Sequence, residues 1–287
     1  RLLHEAKRLF NSVFFVPINS IGVGLNTDFS ITYRTSDLLK FGAVFPRIPA
    51  RLHSYAYQLL SLFPPKTFMP IPPIAFLLAS ERFFLLTVLR KRGIDTLELH
   101  QVRSVKAAER IFERIRFPVI LRVPTQKTGV TVKGGTEAKS IVEALGSLQQ
   151  PVLIENVVKN VISVYVAGPG VLAAVKKVTK DQDVIFGEGT LKKHKLSFEE
   201  KHLAMETSNA IDTHVVRVDM SPGKRPYVVN IELNPNLIEP SKVTGVNIPR
   251  EIMKCVHQDY TQHKDKPVLM RFFEDAKSVV KDILKGK

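Results

Sequence analysis

The sequence has no tryptophan and only one cysteine, Cys255, in 287 residues. A single cysteine excludes an intramolecular disulfide and the paired cysteine spacing of a zinc site, and it favours a reducing compartment. Long apolar runs are also missing. A membrane-spanning helix needs about 18 apolar residues, and the most apolar stretch, 71–89, is interrupted by prolines and charges. We therefore expect no membrane span and an intracellular protein, in the cytoplasm or in an organelle if the N-terminus is processed.

Acidic residues are scarce, with 27 against 42 basic residues and a net charge of +15. Such a surface attracts phosphates, acidic peptides or nucleic acid, although it also occurs where a whole proteome is basic. Basic runs lie at 90–92, 192–195 and 224–225. Aromatic residues make up only 8% of the chain, so no stacking platform for bases is obvious. Binding to RNA or to a ribosome stays open as an alternative.

The chain is long enough for a full core and for roughly two or three subdomains. Helical and strand patterns alternate along it, which predicts compact α/β units. We expect a small N-terminal α/β domain over 1–72, with short buried strands at 13–17 and 43–48. A central subdomain over 73–152, a C-terminal subdomain over 153–260 and a last helix over 261–287 follow. Since Arg1 stands directly in a helical pattern, the first strand of the N-terminal domain is expected to be missing.

Three oxygen-bearing side chains lie near the ends of two strand patterns, 215–220 and 227–232, that a tight turn joins. Glu232 and Asn234 are two residues apart and so are expected to face the same way, and a hairpin partner brings Asp219 beside them. Two carboxylates and an amide oxygen suit Mg²⁺, with Mn²⁺ as an alternative. The pattern therefore predicts a metal site and nucleotide chemistry.

The order of these parts resembles the ATP-grasp ligases, specifically their RimK-like branch. The resemblance covers most of the chain and is strongest around the hairpin. The segments that carry it are 33–48 with its Pro-Arg-Ile end, 80–94, the strand 173–177, Arg217-Val-Asp219, Glu232-Leu-Asn-Pro235 and Thr244-Gly-Val.

This resemblance implies an ATP-grasp fold in which two α+β subdomains hold ATP between them. It implies a ligase that makes an acyl phosphate from a carboxylate acceptor, an acidic peptide or a small molecule, and joins it to glutamate or a similar amino acid. Mg²⁺ is the implied cofactor besides ATP, and an oligomer would be unsurprising.

The resemblance also implies roles for single residues. Asp219, Glu232 and Asn234 match the metal ligands, and the two lysines that usually touch the phosphates fall at Arg82 and Arg122. Arginine keeps that charge and adds a planar fork of donors. Further candidates for nucleotide contact are the hinge residues Glu155 and Val157, and Lys176 on the next strand, which is equally open to being solvated.

Three departures from the family pattern weigh against catalysis. The family's glycine-rich phosphate-covering loop is replaced by 124–129, which holds a single glycine. The Asp-x-Arg pair that the family carries after the hinge is missing at 161–163, and the family's arginine-and-asparagine loop ahead of a Gly-Gly is represented only by 186–190. Two hypotheses follow: an active ligase with an altered acceptor site, which we favour, and a non-catalytic relative that binds RNA or a ribosome. A nucleotide sensor without chemistry is a third.

Overall fold

The computed structural model describes residues 1–25, 29–181 and 183–265 of the chain. The helices are α1 Leu2–Ala6, α2 His53–Leu60, α3 Pro73–Leu78, α4 Arg82–Lys91, α5 Val105–Phe112, α6 Gly135–Ser147, α7 Phe198–Ala210, α8 Ile238–Thr244 and α9 Ile248–Asp265. The strands are β1 Gly22–Leu25, β2 Phe29–Tyr33, β3 Ser36–Asp37, β4 Leu99–Val102, β5 Val119–Arg122, β6 Gly129–Val132, β7 Val152–Asn156, β8 Ile162–Ala167, β9 Gly170–Val178, β10 Thr190–Lys193, β11 Val215–Ser221 and β12 Tyr227–Glu232. Helices and antiparallel sheets are mixed, so the α+β prediction is confirmed.

The N-terminal part has one small sheet, β1-β2-β3, and lacks the two buried strands expected from the sequence. Residues 13–17 form no strand, and 43–48 contribute only an isolated bridge between Ala43 and Phe68. Both predictions were wrong. The apolar residues there pack on the core without a ladder partner, and the prolines that punctuate these runs have no N–H group to donate to a sheet.

A four-stranded antiparallel sheet of order β4-β7-β5-β6 forms the central unit. Helices α5 and α6 pack together beside it and close a separate small core that includes Val119, Val132 and Ala138. Helix α5 begins where the Ser104 hydroxyl accepts a hydrogen bond from the Ala107 amide at 3.2 Å, which satisfies one of the free N–H groups of the first turn.

A five-stranded antiparallel sheet of order β10-β9-β8-β11-β12 forms the third unit. Its buried face shares one large core with the N-terminal part. Helix α7 packs on it and starts with a capping box between Ser197 and Glu200. The Leu97 amide donates to the Val228 carbonyl at 2.8 Å, and this bond ties the segment before the four-stranded sheet to the edge strand β12.

Helix α9 runs through position 260, where the last domain boundary was predicted, and is described to Asp265. The rest of the last helix predicted over 261–287 lies outside the described residues. The boundaries at 72 and 152 stay predictions. Within 1–25, 29–181 and 183–265, no helix has both the length and the apolar character needed to cross a bilayer.

Candidate active site between the two large sheets

The hairpin of β11 and β12 places its polar side chains on one face. Asp219 stands opposite Asn230, and Arg217 stands opposite Glu232. Since side chains alternate along a strand, all four share a face of the five-stranded sheet. Asp219 and Glu232 therefore lie near each other, as expected, and Arg217 and Asn230 complete the same group of four side chains.

Asp219 is buried and surrounded by donors. Its Oδ1 accepts a hydrogen bond from Ser163 Oγ at 2.6 Å, and its Oδ2 accepts bonds from Arg217 Nη2 at 2.8 Å and Asn230 Nδ2 at 3.0 Å. Burial alone raises the pKa of Asp219, but the charge of Arg217 and the three donors outweigh burial and lower it. The carboxylate is thus held in its charged form by the protein itself.

Glu232, the last residue of β12, is held by a different cation. Lys127, from the loop between β5 and β6, places its Nζ 2.6 Å from Glu232 Oε2. The backbone N–H of Asn234, which lies just beyond the strand end, donates to Glu232 Oε1 at 3.3 Å. Burial raises the pKa of Glu232, but the Lys127 ammonium, together with the charge of Arg217 and the Asn234 N–H, outweighs burial and lowers it. The Lys127 side chain is 56% exposed, so this contact can open into solvent.

The two arginines predicted to bind phosphate meet on one buried carboxylate. Arg82 donates to Glu155 through Nε at 2.7 Å and through Nη2 at 3.4 Å. Arg122 Nε lies 3.2 Å from Glu155 Oε1 as an ion pair without hydrogen-bond geometry. Arg82 Nη1 also donates to Asn230 Oδ1 at 3.2 Å, so Asn230 links this triad to Asp219.

The segment 183–189 covers the triad from one side. Asp183 accepts a hydrogen bond from Arg122 Nη2 at 2.8 Å. The Phe186 ring centroid lies 4.7 Å from the guanidinium carbon of Arg122 and 5.3 Å from that of Arg82. Stacking on an aromatic face stabilises each guanidinium. Both arginines are therefore fixed in place by protein groups on several sides.

Val157 and Lys176, the remaining two predicted nucleotide contacts, lie apart from the contacts described above. Val157 is partly buried directly after β7, which ends at Asn156. Lys176 pairs with Ile162 in the sheet register, so its side chain is on the face opposite to Ser163 and Asp219. The structure does not bring Lys176 into the site. Its neighbour Lys177 points there instead, and Lys177 Nζ donates to the carbonyls of Ile185 and Gly187 at 2.9 and 3.1 Å.

A cavity of about 400 Å³ is lined by Ser163 and Arg217, both of which donate to Asp219. Arg217 and Lys177 line it as cations, and Glu188 and Glu239 line it as acids. Burial lowers the pKa of Lys177. Tyr165 Oη donates to the Asn236 carbonyl at 3.1 Å at the cavity wall, and burial raises the pKa of this phenol to about 12. The cavity can take a small ligand that carries both charges.

Arg47 connects the N-terminal part to this site. Its Nη2 donates to the Pro235 carbonyl at 2.7 Å, directly after the hairpin, and burial lowers the pKa of Arg47 to about 10. Arg47 belongs to the Pro-Arg-Ile segment that carries part of the resemblance, so that segment packs against the predicted metal hairpin.

Glu232 and Asp219 differ in how well their carboxylates could bind Mg²⁺. Glu232 offers hard oxygen donors, with Asn234 nearby, once the exposed Lys127 turns away. Asp219 does not fit, because both oxygens accept hydrogen bonds and a guanidinium 2.8 Å away would repel a divalent ion. In the described part of the chain, no group of three or more His, Cys, Asp or Glu side chains could hold a metal ion.

Several site residues were not expected from the sequence. Asn230 and Arg217 could have been found, because each stands two residues before a predicted ligand on the same strand and so shares its face. Ser163, Lys127 and Asp183 come from distant segments, and no local pattern marks them.

Comparisons with known proteins agree with this architecture. The family model for the RimK-like ATP-grasp domain matches residues 79–256. A probable alpha-L-glutamate ligase of Thioalkalivibrio sulfidiphilus is 23% identical over 248 residues, which cover 82% of each chain.

Solved structures show the same fold. The ATP-grasp ligase PsnB, in a complex with a phosphomimetic variant of its minimal precursor, Mg and ADP, superposes with a TM-score of 0.66 at 15% identity, covering 91% of this chain and 93% of its own. A RimK domain protein from Sphaerobacter thermophilus gives a TM-score of 0.60 at 19% identity, covering 75% of this chain and 81% of its own. The expected ATP-grasp fold is thereby confirmed. From the match over 79–256, the chain belongs to the RimK-like ATP-grasp family.

Proposed function

We propose that this chain is an ATP-dependent ligase that joins a carboxylate to the amino group of an amino acid. The observation that carries the proposal is the group of cationic side chains, Arg82, Arg122, Lys127 and Arg217, between the four-stranded and the five-stranded sheet. Family membership supports this ligase function and does not support the alternative of an RNA- or ribosome-binding module.

In this proposal ATP lies between the two sheets. The positive charges of Arg82 and Arg122 attract the β- and γ-phosphates, and the contacts with Glu155 and Phe186 hold both guanidiniums in place before the nucleotide arrives. The backbone near Val157, at the end of β7, contacts the base. Mg²⁺ held by Glu232 and Asn234 would offset the phosphate charge when bound.

The ligase reaction then proceeds in two steps, formation of an acyl phosphate and capture by the amine. A carboxylate oxygen of the acceptor attacks the γ-phosphorus, the bond to the β–γ bridging oxygen breaks, and ADP leaves. The amino group next attacks the acyl carbon of the mixed anhydride, inorganic phosphate leaves with the bonding electron pair, and one proton is released from nitrogen. The cations of the site oppose the negative charge that develops at the transferred phosphoryl group.

The substrate classes follow from relatives and from charge. A relative at 25% identity carries the name probable alpha-L-glutamate ligase, and a PsnB structure contains a precursor peptide. For this chain we propose glutamate or a similar amino acid as the amine, and an acidic peptide or small carboxylate as the acceptor. The basic strand 190–193 and the net charge of +15 support an acidic acceptor.

The test is ADP release with ATP and Mg²⁺ across a panel of carboxylates, with and without glutamate. We expect release that requires both the carboxylate and the amino acid. The variant Arg225→Met, which removes an exposed charge from the turn of the hairpin, serves as a control and should turn over normally. Nucleotide binding without turnover for every pair of substrates would refute the ligase and favour the nucleotide sensor.

A further inference from the structure

The predicted metal site needs a free carboxylate at Asp219, but in the hairpin the Arg217 guanidinium pairs with that carboxylate. Arg217 and Asp219 are two residues apart on β11, and their side chains share a face and pair at 2.8 Å. Asp219 is 1% exposed. Ser163 and Asn230 donate to the same carboxylate, so the position beside Asp219 is occupied by protein donors.

We infer that Arg217 replaces a divalent ion next to Asp219, so that this chain binds its nucleotide with less dependence on Mg²⁺ than a site with a free carboxylate pair. That the ligand is a nucleotide rests on the proposed function, whereas the role of Arg217 beside Asp219 is inferred from the geometry of the hairpin. Arg217 is thereby assigned as a ligand-binding residue that keeps positive charge permanently at this point of the site.

The surroundings of Arg217 support this role. Its Nη2 is used by Asp219, whereas its Nε is buried without a hydrogen-bond partner. The side chain lines the cavity of about 400 Å³ together with Lys177. A buried guanidinium donor without a partner is costly, and a phosphate or carboxylate oxygen in that cavity would satisfy it.

Lys127 and Glu232 form a second ion pair beside that of Arg217 and Asp219. Lys127 neutralises Glu232 at 2.6 Å, as Arg217 neutralises Asp219. The two contacts differ in mobility, because the Lys127 side chain is 56% exposed while that of Arg217 is 21% exposed. A divalent ion can displace Lys127 from Glu232, but Arg217 stays on Asp219. The site therefore admits metal on the Glu232 side only.

The experiment compares the wild type with Arg217→Met, Arg217→Lys and the control Arg225→Met. Calorimetry measures the affinity for AMPPNP in EDTA and in excess Mg²⁺. For the wild type and the control we expect a small gain from Mg²⁺. For Arg217→Met, affinity in EDTA should fall by about tenfold or more, the loss of one charge-assisted contact, and Mg²⁺ should restore much of it.

A second measurement needs no nucleotide. Electron paramagnetic resonance of free Mn²⁺ counts the ions that each protein removes from solution. Arg217→Met should bind one more Mn²⁺ than the wild type, while Arg217→Lys and Arg225→Met should match the wild type. Equal Mn²⁺ binding by Arg217→Met and wild type, or extra binding by Arg217→Lys, would overturn the inference.

The two proposals can fail separately. If no protein binds AMPPNP under any condition, the proposed function is wrong, and the Mn²⁺ counts still decide the role of Arg217. If circular dichroism shows that Arg217→Met is unfolded, Arg217→Lys decides instead. Its retained charge should exclude Mn²⁺, and a gained ion would show that the position beside Asp219 is open to metal.

Discussion

Replacing Glu155 by glutamine tests whether the buried triad of charges is formed. Glu155 is fully buried and pairs with Arg82 at 2.7 Å and with Arg122 at 3.2 Å, and both arginine side chains are at most 6% exposed. Glutamine keeps the shape and an acceptor oxygen but removes the negative charge. The two guanidiniums then remain buried beside each other with less compensation.

The expected loss follows from what stays in place. Removing one partner of a buried ion pair costs about 3–5 kcal/mol, because it leaves an uncompensated buried charge. Asp183 still accepts from Arg122 at 2.8 Å, and Phe186 still stacks on both guanidiniums. We therefore expect the lower end, a loss of about 3 kcal/mol in the free energy of unfolding.

Urea denaturation measures this loss, with Glu143→Gln on the exposed side of α6 as the control. A nucleotide that binds the arginines supplies the missing negative charge and binds only the folded protein, so AMPPNP should stabilise Glu155→Gln more than the wild type. A loss no larger than that of the control would show that the triad is not formed. A full loss without rescue by AMPPNP would place the nucleotide phosphates elsewhere.

Two further predictions concern stability. In Lys127→Met, Glu232 loses a cation that helps to lower its pKa from the ordinary 4.5. A lowered carboxylate pKa adds stability above the unfolded pKa, and this stability is lost as the pH falls through the folded pKa. The variant should therefore lose under about 1 kcal/mol in the free energy of unfolding at pH 7, discounted for the exposed lysine, and less near pH ~3. Urea titrations across pH check this, and an equal difference at both pH values would contradict it. In Gly129→Ala the new Cβ would lie 2.6 Å from Ile120 Cγ2, and this clash should lower the free energy of unfolding by about 1–3 kcal/mol. In Gly146→Ala, in α6, the new Cβ meets nothing within 4 Å, so the free energy of unfolding should rise by about 0.5–1 kcal/mol in the same assay. A loss at both glycines would refute the steric argument.

The strand periodicity of the hairpin was sufficient to predict which of its side chains share a face. Asp219 and Glu232 share a face because their strands pair in the register that a tight turn allows. The α+β class and the ATP-grasp fold, which the family resemblance implied, are confirmed. The strands expected at 13–17 and 43–48 were wrong, because an apolar run indicates burial but does not supply a ladder partner. The roles of the predicted site residues stay predictions.

Local patterns along this chain determined most of the helices and strands and the face of the hairpin on which each side chain lies, because these depend on neighbours within a few residues. Only the tertiary structure decided which charges meet. Lys127 reaches Glu232 across 105 positions of sequence, and Arg82 reaches Glu155 across 73. Such pairs depend on how two sheets face each other, and the strength of a charge pair is set by distance and burial, neither of which a one-dimensional pattern contains.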